Sequence, residues 1–551
     1  MPQPTLVKSP KSFRQNDEAY SVQLKPVAEP RWLPVLYYIY CMLAGPYLIW
    51  RFTIINWQVW YGPVAYLAEI YGFVMTLTYL WIARRIDHPV HRPTKLNRSV
   101  DALIPTLNEP IEVLEPVVLG ALKVRGINRV LVLDDGNRAW VRAMCNKLGA
   151  NYYARGSSEH AKAGNLNFGL QYSQAEFILS LDADHIPMPY FLERTLGYFD
   201  DPQLAFVQSP QTYYNTDSFL FRRRRGNSFW SEQCMFYDMI QPSKNRYNSA
   251  FFVGTSALLR RSAIDSIGGF ATGTATEDIH TSLKLHARKW KSLFVPEPLA
   301  FGLEAASFKE FYKQRRRWAA GSLGLLFRSP DSPLRAKGLT WRQRLNYINA
   351  TLAHLQGVQK LLFFITPILA SFTLVGPIVI GYGWYNLIFT SFLLIAVGFT
   401  AIYARGTYHP IYTEAYSMAN LLAHFGGIKG ILKVQRKFAV SSKTAKPNEP
   451  TWLKNILWFL FAIGVIGLLR DIVLLNMGDP HRGLLISSLI FTDLNLIFLA
   501  SFLAYLWGYE RRSDDPPSTG AVQWYEHIKR SYGRPVPETL VAQDFKQKTP
   551  S

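Results

Sequence analysis

Cysteine is scarce in this chain: three in 551 residues, Cys41, Cys145 and Cys234. They lie far apart, and no pair has metal or redox spacing. That excludes a disulfide framework and a thiolate zinc site, and it makes a reducing compartment the default. Charge is sparse too, at 18%. Acids are the minority, with 39 Asp plus Glu against 60 Lys plus Arg, for a formal charge of +21. Such a balance suits a polyanionic partner: nucleic acid, anionic lipid or a phosphorylated substrate. With aromatics at 14%, the chain is too apolar for a typical nucleic-acid protein, and no nucleic-acid partner is expected. No internal repeat is present. The first apolar run begins too deep and lacks a small-residue cleavage site, which excludes a signal peptide.

What the chain has is long apolar runs. A membrane helix needs about 20 apolar residues. Six stretches qualify: 32–50, 60–83, 358–380, 384–404, 455–475 and 484–508. Arg84 and Arg85 follow the second, eight Lys or Arg lie between 405 and 454, and Arg511 and Arg512 follow the sixth. The short loops opposite hold only Arg51 and Arg482. The positive-inside rule therefore places both termini and the large polar block in the cytoplasm of a multi-pass inner or plasma membrane protein. Residues 318–328 and 408–430 are apolar enough to be interfacial helices or further spans. Glu69 and Asp493 are intramembrane acids, expected to face an interior. The expected organisation is a loose tail (1–30), spans one and two (31–85), a cytosolic domain (86–335), spans three to six (336–508) and a tail (509–551).

The polar block alternates strands and helices. "VDALIPT", "RVLVLDDG", "AEFILSLDADH" and "LAFVQSP" read as buried strands. "PIEVLEPVVLGALK", "RAWVRAMCNKLG" and "PYFLERTLGYF" read as helices between them. This rhythm predicts an α/β domain with a mostly parallel sheet, whose ligands bind beyond the carboxyl ends of the strands. Two strands end in acids there, Asp134-Asp135 and Asp182-x-Asp184. Adjacent carboxylates repel, and a hard divalent ion that also binds phosphate relieves them, with His185 a further ligand. A lone Asp-x-Asp is equally a solvated turn; two acid-ended strands in one sheet favour the site. Thr276 is placed to cap a helix carrying Glu277 and Asp278 in its first turn, either as charge complementarity or as a general base. "KQRRRWAAG" (313–321) offers guanidinium for a diphosphate and a tryptophan face for a sugar, or an anchor on lipid headgroups. "FRRRRG" (221–226) is the better anchor candidate.

The ordered set "PTLNE", "LDDG", "KAGNLN", "DADH", "FFVG", "GGF…TED" and "QRRRW" resembles the processive family-2 glycosyltransferases, cellulose synthases above all. The resemblance implies a GT-A-type mixed or parallel sheet domain inserted between transmembrane helices. It implies that Asp134 and Asp135 contact uridine, that Lys162 approaches the nucleotide-sugar, and that Asp182 and Asp184 hold Mg2+ or Mn2+. Asp278 would be the base, and Arg317 would steady the UDP leaving group. Gln314, Trp318, Glu277, Val253 and Gly254 would meet the acceptor. Glu109 would complete the nucleotide pocket with Phe438, Val440 and Ser441 of a gating loop at about 436–446. The implied partners are a UDP-sugar (UDP-glucose first), a growing polysaccharide, the bilayer and an accessory export or scaffold subunit. The implied activity is a processive inverting transferase that elongates a β-glucan and translocates it. Hyaluronan- or chitin-like polymers and a single-sugar glycolipid are the alternatives, and a non-enzymatic channel would leave the acid clusters idle.

Departures from the family pattern are Leu107 where an aromatic is expected, Val253 in place of Cys, Ser441 in place of Thr, and "QSPQTYYN". The resemblance favours β-1,4 linkage, but several of these departures would line the acceptor side, so a different sugar and a β-1,3 or mixed-linkage glucan stay open. Some 43 residues follow the last span, so the cyclic-di-GMP-binding barrel common in bacterial cellulose synthases is not expected.

Overall fold

The computed structural model describes residues 32–512, apart from 88, 93, 214, 216, 217, 224–228, 306 and 433–450. The gating-loop residues Phe438, Val440 and Ser441 lie outside the described residues.

The main sheet is built from β1 (Val100–Thr106), β2 (Arg129–Asp134), β3 (Asn151–Ala154), β4 (Phe177–Ser180), β6 (Leu204–Gln208), β10 (Ala257–Arg260) and β11 (Lys291–Phe294). A smaller sheet joins β5 (Ile186–Pro187), β12 (Ala300–Gly302) and β7 (Thr212–Tyr213), and a hairpin pairs β8 (Phe221–Arg223) with β9 (Phe229–Ser231). Successive side chains on a strand face opposite ways. Ala102 and Ile104 of β1 enter one core with Val130, Val132 and Leu179, while Leu103 enters the other with Leu131, Leu133 and Ile178. Helices Ile111–Leu122 and Ala139–Leu148 cover the first face; Ala161–Leu170 and Arg261–Ser266 cover the second. Burial on both faces is why these strands read as unbroken apolar runs.

The strand order is β11-β6-β10-β4-β1-β2-β3. Every neighbouring pair is parallel except those made by β10, which runs antiparallel to β4 and β6. The sheet is therefore the mixed α/β, GT-A-like one, parallel but for one reversed strand. The reversal has a functional result. The carboxyl ends of β1, β2, β4 and β6 and the amino end of β10 share one rim. The chain also turns back at β1, with β2 on one side and β4 on the other, which is the switch point where such sheets open a crevice.

Among the described residues, six helices are long and apolar enough to cross a membrane: Leu33–Thr53, Tyr61–Ala83, Trp341–Thr373, Tyr382–Tyr403, Trp452–Asn476 and Arg482–Tyr509. The third ends earlier than the expected 380. Leu374 takes a left-handed backbone (φ 54°), and Gly376-Pro377 cannot continue a helix. The segment that follows pairs instead with the loop after the first span: Val379 N donates to Ile54 O at 3.0 Å, and Asn56 N to Pro377 O at 3.1 Å. Glu69 does face an interior, accepting from Tyr47 Oη, from Arg51 Nε at 3.1 Å and from Tyr385 Oη at 3.3 Å. Asp493 does not; it is exposed on its helix.

Two helices join sheet to spans, Phe308–Phe327 and Pro410–Gly427; they overlap the apolar segments 318–328 and 408–430, the first beginning ten residues earlier. Ser307 caps the first, its side chain accepting from Glu310 N. Phe308, Phe311 and Tyr312 then pack with Tyr416, Met418, Ala419, Phe502 and Leu503 in one apolar cluster. The two helices approach closely where they cross. A Cβ on Gly427 would lie 2.4 Å from Ala319 Cβ, and one on Gly430 would lie 2.1 Å from Ala320 O. Gly427→Val should therefore cost about 1–3 kcal/mol by overpacking. The check is thermal denaturation of the detergent-solubilised protein, with an unchanged midpoint counting against this contact.

Candidate active site

The rim encloses a cavity of about 570 Å³. Its lining includes Leu107 and Glu109 after β1, Asp135 after β2, Lys162 on the helix that follows β3, Asp182, Asp184 and His185 after β4, and Val253 and Gly254 before β10. Glu277, Asp278, Gln314, Arg317 and Trp318 complete it. Residues more than 200 positions apart in the chain thus share one crevice.

The "KAGNLN" segment shows how local sequence builds the site. Arg155 chelates Asp135 at 2.5 and 2.7 Å and donates to the carbonyls of Glu159 and Ala161 at 2.7 and 2.8 Å. It fixes the turn that starts the Ala161–Leu170 helix. Gly164 is required beside it, because a Cβ there would lie 2.2 Å from Glu159 O and 2.6 Å from Arg155 Nη1. Asn165 donates to Leu133 O at 2.7 Å, tying the helix to β2. Asn167 exchanges hydrogen bonds with Phe270 N and O at 2.7 and 2.9 Å. Lys162 is thereby aimed at the acids, pairing with Asp182 and donating to Gly254 O at 2.7 Å. Burial pulls its ammonium down, but Asp182, Glu277 and Asp278 together hold it above its ordinary value.

Asp182, Asp184 and His185 bring one ligand atom each within 4.8 Å of one another. One ring nitrogen of His185 lies 2.7 Å from Asp184 Oδ1; the other is buried with no hydrogen-bond partner among the described residues. This donor set, two carboxylates and an imidazole with a spare nitrogen, fits a divalent cation.

Asp278 sits one residue into its helix. Its Oδ1 accepts from Ile279 N at 2.8 Å. Burial and the neighbouring Glu277 push its carboxyl up to about 7, against the pull of Ile279 N–H, Lys162 and Arg317. Thr276 occupies the N-cap position, but its hydroxyl does not cap the helix; it packs against Gly321, where a Cβ would lie 2.7 Å from Thr276 Cγ2. Arg317 Nη1 donates to Ala275 O at 3.3 Å beside that turn.

The three consecutive arginines separate. Arg315 is buried and meets Glu232 at 2.5 Å, with Phe311 and Trp318 rings beside it, so it is no headgroup anchor. Arg316 lies along Gly426, and Arg317 reaches the cavity. In "FRRRRG", Arg222 is likewise not an anchor: it sits against the rings of Tyr412, Tyr416 and Tyr505.

Asp134 lies one layer beneath the cavity rather than in its wall. It is fully buried, accepting from Gly136 N at 3.0 Å, Arg138 N at 2.7 Å and Arg138 Nε at 3.1 Å. Arg138 in turn holds Thr106 and the Glu109 carbonyl, each at 2.6 Å. Ser158, His160, Gln211 and Tyr213 also line the cavity and were not foreseen from the sequence. The unfamiliar "QSPQTYYN" stretch was the available signal for the last two.

Residues 177–403 match the family model described as glycosyl transferase family group 2. Cellulose synthase 1 of Komagataeibacter xylinus is 33% identical over 485 residues, covering 83% of this chain and 31% of that protein. The cellulose synthase catalytic subunit [UDP-forming] of Pseudomonas fluorescens (strain SBW25) is 37% identical over 340 residues, covering 58% and 45%. Mannosyltransferase PcManGT from Pyrobaculum calidifontis, solved with GDP-Man and Mn2+, covers 68% of this chain and 99% of its own at 17% identity, with a TM-score of 0.46. Residues 177–403 are thus similar to glycosyltransferases of family group 2. The chain is similar to these cellulose synthases, and it spans under half the length of the curated relatives named here.

Gly254 has φ 94°, and a Cβ there would lie 3.1 Å from Lys162 Nζ and 3.5 Å from Asp278 Oδ2. Gly254→Ala should cost about 1–3 kcal/mol in backbone strain and displace Lys162. A thermal midpoint equal to the parent's would contradict that placement.

Proposed function

We propose that the chain is a processive inverting glycosyltransferase that elongates a β-glucan from UDP-glucose on the cytoplasmic face of a bacterial-type inner membrane and passes it across the bilayer. β-1,4 linkage is favoured and β-1,3 is the alternative. The observation that carries this is the single cavity holding Lys162, Asp182, Asp184, Asp278, Gln314, Arg317 and Trp318. Its last three residues lie on the helix that packs against the membrane helices. The charge pattern of the loops supports the orientation, and similarity to UDP-forming cellulose synthases supports the donor.

Asp278 accepts the proton of an acceptor hydroxyl as that oxygen bonds to the anomeric carbon. The bond from that carbon to the diphosphate breaks, UDP leaves, and one inversion turns an α-linked donor into a β-linkage. A single base suffices because the diphosphate is already a good leaving group. Arg317, a cation at every working pH, offsets the charge that develops on it. Asp182 and Asp184, with His185 beside them, would hold Mg2+ or Mn2+, which supplies further positive charge to the diphosphate when bound. Trp318 offers a flat apolar face and Gln314 a polar one to the sugar end of the chain. Asp135, already chelated by Arg155, would contact uridine through whatever capacity that pair leaves.

The decisive assay supplies membranes with radiolabelled UDP-glucose or UDP-N-acetylglucosamine and digests the product with linkage-specific glucanases. Insoluble, glucanase-sensitive product from UDP-glucose is expected. Label in a lipid-soluble monosaccharide product would instead support single-sugar transfer. Asp278→Asn should abolish polymer while UDP is still bound, and full activity in that variant would remove Asp278 as the base.

The pH profile tests the same residue independently. Below about pH 7 its carboxyl is protonated and cannot accept a proton; above, it is charged and competent. The rate should rise as pH increases through about 7, and a rate that falls over that interval would contradict the assignment.

A further inference from the structure

We infer that Gln211 is a specificity-determining residue, whose one uncommitted amide proton holds the acceptor's terminal sugar and so selects the hydroxyl that faces Asp278. This rests on the transferase reading above. Gln211 follows β6 at the shared rim and lines the cavity together with Val253, Gly254, Asp278 and Trp318.

Three contacts fix its side chain. Nε2 donates to the Val253 carbonyl at 3.0 Å. A carbonyl only accepts, so this end of the amide is the nitrogen. Oε1 accepts from Tyr213 Oη at 3.1 Å and from Tyr237 Oη at 2.8 Å, which fills both of its lone pairs. Both tyrosines are buried. Tyr213 meets the His185 ring edge-on at 5.8 Å, and Tyr237 packs against Phe236 and Phe294. An amide nitrogen carries two protons, and the second has no partner among the described residues.

A rigid, neutral N–H in the wall of a cavity that also holds many charged groups suits a hydroxyl or ring oxygen of a sugar. It is linked to the chemistry through one peptide. Val253, which receives the first N–H, precedes Gly254, whose carbonyl holds Lys162 and whose Cα faces Asp278. The amide and the base therefore keep a fixed separation. Neighbouring hydroxyls on a pyranose ring lie about one hydrogen-bond length apart, so an anchor held this firmly can present one and withhold the next.

The test uses membranes carrying the full chain, fed radiolabelled UDP-glucose. It reads the linkage of the product and the ratio of polymerised to hydrolysed glucose per UDP released. Gln211→Leu should lower that ratio roughly three- to tenfold and mix the product's linkages. Retention of radiolabelled UDP should stay within about twofold, since the amide touches the acceptor side. Gln211→Glu keeps the size and the tyrosine contacts but loses the N–H, and should shift both readouts the same way. It decides the matter if the leucine variant loses UDP binding through misfolding. The parent linkage and parent ratio in either variant that still binds UDP would overturn the inference. A parent chain that releases no UDP from any nucleotide-sugar would overturn the transferase reading itself, and this inference with it.

Discussion

Four carboxylates, those of Asp182, Asp184, Glu277 and Asp278, are crowded into one partly closed crevice. Like charges at that density cannot all stay ionised without compensation. Lys162 and Arg317 supply it, and the fold around them serves to hold these two cations in place. Arg155 and Gly164 set the start of the Lys162 helix, and Asn165 ties that helix to β2. The Gly254 carbonyl gives the ammonium a neutral acceptor beside Asp182. The same balance would suit Asp278 to the proposed role of base. Burial and Glu277 raise it, the cations restrain it, and it comes to rest at about 7.

The second constraint is where the crevice opens. A parallel sheet would bring only carboxyl ends to the rim. The reversed β10 brings an amino end instead, so Val253 and Gly254 enter the wall from a loop whose upstream segment packs through Met239 against Tyr79 and Leu80 of the second span. The opposite wall comes from the Phe308–Phe327 helix, whose other face is built into the apolar cluster shared with the spans. The wall carrying Gln314, Arg317 and Trp318 and the face packed on the spans therefore belong to one helix, and on the proposed reading a chain end resting on Trp318 would lie at that junction.

Much of this was legible in the sequence, for definite physical reasons. Strands covered on both faces write continuous apolar runs, and β1, β2, β4 and β6 were read from them. Acids at the ends of buried strands marked the rim. The six spans announced themselves by length. What stayed hidden was decided by tertiary packing. The four-residue β10 has too little pattern to show that it is a strand, let alone that it is reversed. Asp134 and Asp135 are adjacent and chemically identical, yet the pleat sends one beneath the cavity and the other into its wall. Thr276 is at a capping position, but the close approach of Gly321 claims its side chain for packing. Glu69 and Asp493 look alike in a hydropathy profile, and only the arrangement of spans distinguishes a buried hydrogen-bonded acid from an exposed one.

Arg315, Arg316 and Arg317 read as one basic patch when written in a line. Helical geometry turns each by about 100° from the last, and the three addresses are different: Glu232 in the interior, the ridge of a neighbouring helix, and the mouth of the cavity. Repetition here is not redundancy. A family of natural variants should accept lysine freely at the middle position, resist it at the first, where a buried planar fork is needed, and keep guanidinium at the third. The triplet's substitution record is thus a readable imprint of the helix's orientation.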